Sequence, residues 1–201
     1  MAKDFFENKD YNTPVFETNN FVVVPSLGSL VEGWLLIVPK DYYLNFSQLS
    51  KEYVAEVNSI VQYLHRRFLP LFKNEHYVLF EHGPSDLLSK AGCGVDYAHL
   101  HWVPCRFDLL KGVHNFLGLD FAWQEIDGLK DLSNNVTLRQ DYLYLRNQDG
   151  RHFVTNQPTV PSQTFRQVIA HYLNQPEHYD WKTYDGAEHI RSVYQKLTLI
   201  D

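Results

Sequence analysis

The chain has 201 residues, 44% hydrophobic and 21% charged, which suits one soluble globular domain or a core with an appended subdomain. Asp and Glu outnumber Lys and Arg by 24 to 18 and no basic run stands out, so DNA or RNA is not expected as the main ligand. Two cysteines, Cys93 and Cys105, are too few for a disulfide framework, though a single bridge between them stays open. No stretch approaches the ~20 apolar residues of a membrane span and the first residues lack an apolar signal core, so the expectation is a cytoplasmic, reduced protein without a membrane partner.

In chain order, residues 1–14 read as a polar arm. "VFETNNFVVVP" (15–25) predicts two short strands around the turn pair Asn19-Asn20. "GWLLIVPK" (33–40) is a short continuous apolar run between Gly33 and Pro39, a buried strand. From Ser47 the apolar residues Leu49, Tyr53, Val54, Val57, Ile60, Val61 and Leu64 recur at steps of three and four. That spacing predicts one long helix over about 47–69, capped by Ser47 or Ser50 and ended or kinked by Pro70. "HYVLFEHG" (76–83) and "AHLHWVPC" (98–105) read as further strands, joined by a loop over 84–96.

Residues 106–135 give no clear period, except that "LDFAWQEI" suits a strand. "DYLYLRNQDGRHFVT" (141–155) is a hairpin around Asp149-Gly150. "VPSQTFRQVIAHYL" starts a helix with Ser162 as cap and Phe165, Val168, Ile169 and Tyr172 on one face, and a last helix covers 186–198. The order predicts an α+β fold, an antiparallel sheet with a long helix on one face. It divides into a core with its N-terminal arm (1–135) and a C-terminal extension of hairpin and helices (136–201) packed on that core.

The chemistry concentrates at His99 and His101. Side chains at i and i+2 of a strand share a face, so both imidazoles point one way while Ala98, Leu100 and Trp102 point the other. Four readings compete. The pair is hydrogen-bonded core, or two metal ligands completed by His82 or Cys93, or an acid/base pair, or a nucleophile at phosphorus with its helper. The metal reading is weakened because no carboxylate follows: Val103, Pro104, Cys105 and Arg106 come next. Separately, Gln163 and Arg166 near a helix N-terminus suit an anionic ligand, against the plainer reading of a capped surface helix.

Tyr97-Ala98-His99-Leu100-His101-Trp102-Val103 resembles the His-φ-His-φ-His-φ-φ signature of the histidine triad (HIT) superfamily, with Tyr97 in place of the first histidine. "GWLLIVPKDYYLNFSQL" is similar to that superfamily's Gly-His-Leu-Leu-φ-φ-Pro-Lys strand and the connection to its long helix, with Trp34 where a histidine is usual. "FEHG" and the Gly-Cys at 92–93 resemble the galactose-1-phosphate uridylyltransferase branch, and the tail resembles an extension of some bacterial members. Together the matches cover about residues 15–105 in the expected order.

The resemblance implies a HIT-like fold, a homodimer, and a nucleotide or nucleotide-conjugate substrate. It implies a nucleotide hydrolase or nucleotidyl transferase without cofactor or metal. His99 would attack the α-phosphate and His101 would stabilise charge on its oxygens, with main-chain N–H groups near Gly92 and Gly94 helping to hold phosphate. Glu81 and His82 would be supporting or leaving-group residues, against a plain role at a strand end, and Tyr97 and Trp34 would be supporting residues. The nucleophile would be oriented by the backbone carbonyl of Tyr97, which the Tyr side chain leaves in place.

Other positions depart from the pattern. Cys93 and Gly94 stand where Gln and Ser are common, so a leaving-group hydroxyl would come from Ser85, Ser89 or Tyr97, or be missing. Ser26 stands where an acidic residue often holds ribose hydroxyls. Such departures keep two rivals alive: a non-catalytic nucleotide-binding protein with a degenerate triad, and a metal enzyme using His82, His99 and His101.

Overall fold

The computed structural model describes residues 13–87, 89, 97–118, 122–137, 139–156 and 160–198. Its strands are β1 (Phe16–Glu17), β2 (Phe21–Pro25), β3 (Leu35–Pro39), β4 (Tyr77–Gly83), β5 (Leu100–Pro104), β6 (Gln124–Ile126), β7 (Tyr142–Arg146) and β8 (His152–Thr155). They form one sheet in the order β1-β2-β3-β5-β4-β7-β8-β6, antiparallel at every pairing. The helices are α1 (Lys51–Arg67), α2 (Leu109–Leu117), α3 (Leu132–Asn135), α4 (Thr164–Tyr172) and α5 (Ala187–Leu197). This is the expected α+β class. Among the described residues no helix is long and apolar enough to cross a membrane.

Strand β5 lies in the interior of the sheet, with His101 opposite Leu36 of β3 on one side and Phe80 of β4 on the other. The period of two then sorts its side chains. Leu100 and Trp102 join Leu35, Ile37 and Leu79 under Val57, Ile60 and Leu64 of α1. On the opposite face Trp34, Val78, Phe80 and Val103 meet Leu109 and Val113 of α2 and Phe165, Val168 and Ile169 of α4. Both faces of the central strands are therefore covered, and any polar side chain there must find a partner.

The long helix is shorter than its apolar pattern. Ser50 is its cap, accepting from the Tyr53 N–H at 3.3 Å, while Ser47 lies in a 3-10 turn (Phe46–Gln48) capped by Asn45. Pro70 sits in a second 3-10 turn, Leu69–Phe72. The unreadable stretch after 106 hides α2, which Asp108 caps at the Lys111 N–H (2.9 Å). Gly112 blurred its pattern for a packing reason. A Cβ there would come within 2.9 Å of Val168 and Tyr172 on α4.

Ser162 is not the cap of α4. Gln163 takes the left-handed conformation at the cap position (φ 60°), and the Thr164 hydroxyl turns back to the Pro161 carbonyl at 2.5 Å. That tight turn starts the helix after Ser162 has been passed. The hairpin β7–β8 is not laid on the sheet but continues it, pairing Gly83 of β4 with Tyr142 of β7. Gly83 is required by close approach, since a Cβ would lie 2.2 Å from the Tyr142 ring.

Glu81 joins the sheet to the approach to α1. Its carboxyl, 2% exposed, accepts from the Phe46 N–H at 2.9 Å and from the Tyr142 hydroxyl. Burial outweighs these donors and pushes it up to about 7. The folded state thus holds this proton more tightly than the unfolded chain, so the stabilisation is complete below the unfolded value near 4.5 and is lost as pH rises through 7. His82 and His152 act with the opposite sign: burial lowers both to about 4, so their contribution is present above 6.5 and lost as pH falls through 4.

Glu81→Gln should therefore expose the histidine slope. Measured by urea unfolding, the stability of the variant relative to wild type should rise between pH 4.5 and 7.5 by on the order of 3 kcal/mol. A difference that does not change with pH would show Glu81 to be ionised throughout in the folded protein.

Candidate active site

Two neighbouring imidazoles are held in opposite tautomers. His99, one residue before β5, places Nδ1 2.7 Å from the Tyr97 carbonyl oxygen. A carbonyl only accepts, so the proton sits on Nδ1 and the lone pair on Nε2. His101 is the converse. Its Nδ1 accepts from the Trp34 indole N–H at 2.9 Å, which puts the ring proton on Nε2. The ring centroids are 5.0 Å apart at 67°.

His101 is further fixed by stacking on Phe80, with centroids 4.4 Å apart at 17°. Burial, then the nearby His99 and Arg166 charges, hold it well below the usual imidazole range. It is a neutral donor at neutral pH. Trp34, a supporting residue by the resemblance, has a specific contact in the structure: it fixes the tautomer of His101. The sequence signal was available, since an indole donates and never accepts.

A cleft of about 320 Å³, including its open mouth, lies over this pair. Its sheet wall is Phe80, His82, His99 and His101, and its other wall is the first turn of α4, from Gln163 to Arg166. The C-terminal segment therefore meets the central histidines directly. Arg166 is 3% exposed, its Nε donating to the Tyr179 carbonyl (2.7 Å) and its Nη2 to the Gly28 carbonyl (2.5 Å), with its guanidinium 5.0 Å from the Trp34 ring. Gly28 is left-handed (φ 72°), and a Cβ there would meet Trp181 at 2.6 Å. Its N–H donates to Asp185 at 2.7 Å. Residues 179–186 thus close over the turn after β2.

His82 keeps part of its surface exposed, yet both its ring nitrogens are shut off from solvent and have no hydrogen-bond partner among the described residues. Gln163 donates its amide to Asp180 at 3.0 Å, while its Oε1 is buried without a partner.

Other expected residues lie outside the cleft. The Tyr97 hydroxyl donates to the end of β3, within 3.0 Å of the Pro39, Lys40 and Asp41 carbonyls, so only its backbone serves the site. Ser26 is 2% exposed and its hydroxyl turns to the Leu27 carbonyl at 3.2 Å, away from any sugar. Ser85 and Ser89 are both bound to Asp141, through the Ser85 N–H and the Ser89 hydroxyl. Glu81 faces α1, not the cleft, because it is odd in the β4 alternation where Phe80 and His82 are even.

Gly92, Cys93 and Gly94 fall outside the described residues. Cys105 has a free, buried thiol that burial pushes up to about 12. For the metal rival, no group of three His, Cys, Asp or Glu side chains among the described residues is placed to hold an ion.

No protein-family model matches the chain, and no curated protein matches it. Among solved structures it is similar to a hypothetical histidine triad nucleotide-binding protein from Sulfolobus tokodaii strain7, with 18% identity over 45% of this chain and 58% of that one, TM-score 0.39. The chain thus spans less than two thirds of that protein's length. It is also similar to a HIT-like protein from Bartonella henselae, with 17% identity over 46% of this chain and 68% of that one, TM-score 0.39. Yeast Ap4A phosphorylase Apa2 is similar over 89% of this chain and 77% of its own, with 14% identity and TM-score 0.48.

Proposed function

We propose that the protein is a nucleotide hydrolase or nucleotidyl transferase working through a nucleotidyl-histidine. Nε2 of His99 attacks the α-phosphorus, an N–P bond forms, and the P–O bond to the leaving group breaks. Water or another acceptor then attacks phosphorus, the N–P bond breaks, and the acceptor's proton departs. Nε2–H of His101 donates to a non-bridging oxygen as charge builds there. The observation that carries this reading is the 2.7 Å contact from His99 Nδ1 to the Tyr97 carbonyl, which leaves Nε2 with its lone pair.

The cleft also favours one leaving group. Among its described lining residues the only hydroxyl is that of Thr164, already given to Pro161, and His82 titrates only at about 4. None of these is a ready proton donor at neutral pH. A phosphoanhydride can lose an anion that needs no proton, whereas an amine must be protonated to leave. Dinucleoside polyphosphates are thus preferred over phosphoramidates. A non-catalytic nucleotide-binding protein is the second reading, favoured by Ser26 and Tyr97 having turned their hydroxyls elsewhere.

Intact-protein mass spectrometry under mildly alkaline quench, after mixing with dinucleoside polyphosphates or nucleoside phosphoramidates, tests the first reading. A nucleotidyl mass gain should map to His99 and be absent from His99→Ala. Nucleotide binding with neither adduct nor turnover would move the assignment to the binding protein. His101→Ala should lower turnover by ~10²-fold, as loss of an oxyanion donor does elsewhere; an unchanged rate would remove His101 from the chemistry. Imidazole ¹⁵N shifts should report Nδ1–H at His99 and Nε2–H at His101. Trp34→Phe should mix the tautomers of His101 alone and cost about 1–3 kcal/mol of stability, because a buried acceptor loses its donor.

A further inference from the structure

Helix α4 starts inside the cleft with its first N–H groups unused. Its first main-chain bond runs from the Gln167 N–H to the Gln163 carbonyl at 3.0 Å, and Gln163 offers no side-chain cap. Among the described residues no acceptor meets the N–H groups of Thr164 and Phe165, both on the cleft wall. Such a helix start carries partial positive charge and favours an anion. Most helices meet this need with a side chain or water; this one faces a cleft.

A second, independent observation points to a ligand. His82 enters the same cleft from β4 with both ring nitrogens buried and unpartnered. A buried polar group left without a partner destabilises the fold, so its retention calls for something that binds it. Arg166 also lines the cleft, and no carboxylate is among its described lining residues. The Thr164 and Phe165 N–H groups are donors there, neutral His82 can donate or accept, and His99 Nε2 and Gln163 Oε1 are acceptors. A phosphate, with several acceptor oxygens and a proton of its own at neutral pH, matches that set.

We propose that the start of α4, with His82, is a phosphate subsite beside the His99–His101 pair, so that the C-terminal segment supplies part of the substrate-binding surface. The proposal rests on the phosphoryl-transfer reading for the identity of the anion. The same chemistry is offered by inorganic phosphate and by the phosphoryl group of a nucleotide.

Backbone ¹H–¹⁵N spectra of the whole chain, titrated separately with inorganic phosphate, AMP and adenosine, test it. The amides of Thr164 and Phe165 should shift with phosphate, AMP or both, and not with adenosine. The amides of Ala187 and Glu188, at the start of α5, should stay in place as an internal control. Shifts with phosphate alone assign the subsite to the free anion, and with AMP alone to the nucleotide. No shift with either, or an equal shift with adenosine, overturns the proposal.

Gln163→Glu, which sets a carboxylate at the same helix start, should weaken the binding seen by about tenfold. Gln163→Gly, suited to φ 60°, should leave it within about threefold, and unchanged binding in Gln163→Glu would overturn the assignment. The two readings separate through His99→Ala. Phosphate shifts that persist there, with no adduct on wild-type His99, would reject covalent catalysis and keep the subsite. An adduct on His99 with silent Thr164 and Phe165 amides would do the reverse.

Discussion

Two ring protons, fixed on opposite nitrogens of adjacent imidazoles, are what the site depends on. One is held by a backbone carbonyl and the other by an indole N–H, and neither partner can reverse its role. A water in either position, able both to donate and to accept, would leave the tautomer open to change. Because neither holding group can change its role, neutral His99 offers its lone pair at Nε2 and neutral His101 its N–H at Nε2. The interior position of β5 makes this durable: Phe80 stacks on His101 from one neighbouring strand, and Trp34 reaches it from just before the other.

Substituting Tyr97 for a histidine is compatible with this arrangement. His99 takes only a carbonyl from that position, and the Tyr97 side chain has a structural use, its hydroxyl lying within 3.0 Å of three carbonyls where the chain leaves β3. Trp34 shows the same separation of duties. Its ring fills space at 0% exposure while its one polar atom sets a proton. Departures from a signature thus differ in consequence according to whether backbone or side chain carries the role.

The C-terminal segment trades access for enclosure. Arg166 is held by the carbonyls of Gly28 and Tyr179, which ties α4, the segment after it and the turn after β2 into one wall. That wall lowers the local dielectric around the histidines, strengthening each dipole that faces the cleft. Ser26 lies buried beside it, its hydroxyl on the Leu27 carbonyl.

The strands, the long helix and the shared face of His99 and His101 were legible because alternation and helical spacing are local properties, with burial adding only their orientation. Ser162 suits a cap by residue type, but Gln163 in the left-handed conformation takes the cap position, which a local pattern does not show. Helix α2 was hidden by Gly112, whose reason is a neighbour on α4 far along the chain. Ser26 and Tyr97 had the right chemistry and the wrong direction, which sequence does not encode.

The α+β class, the histidine pair and the carbonyl behind it follow from local pattern along the chain. That Trp34 selects the His101 tautomer, that Glu81 faces away and that residues 163–166 line the cleft follows from folding, because each is a meeting of segments some 67 to 138 positions apart or a matter of which face a strand presents.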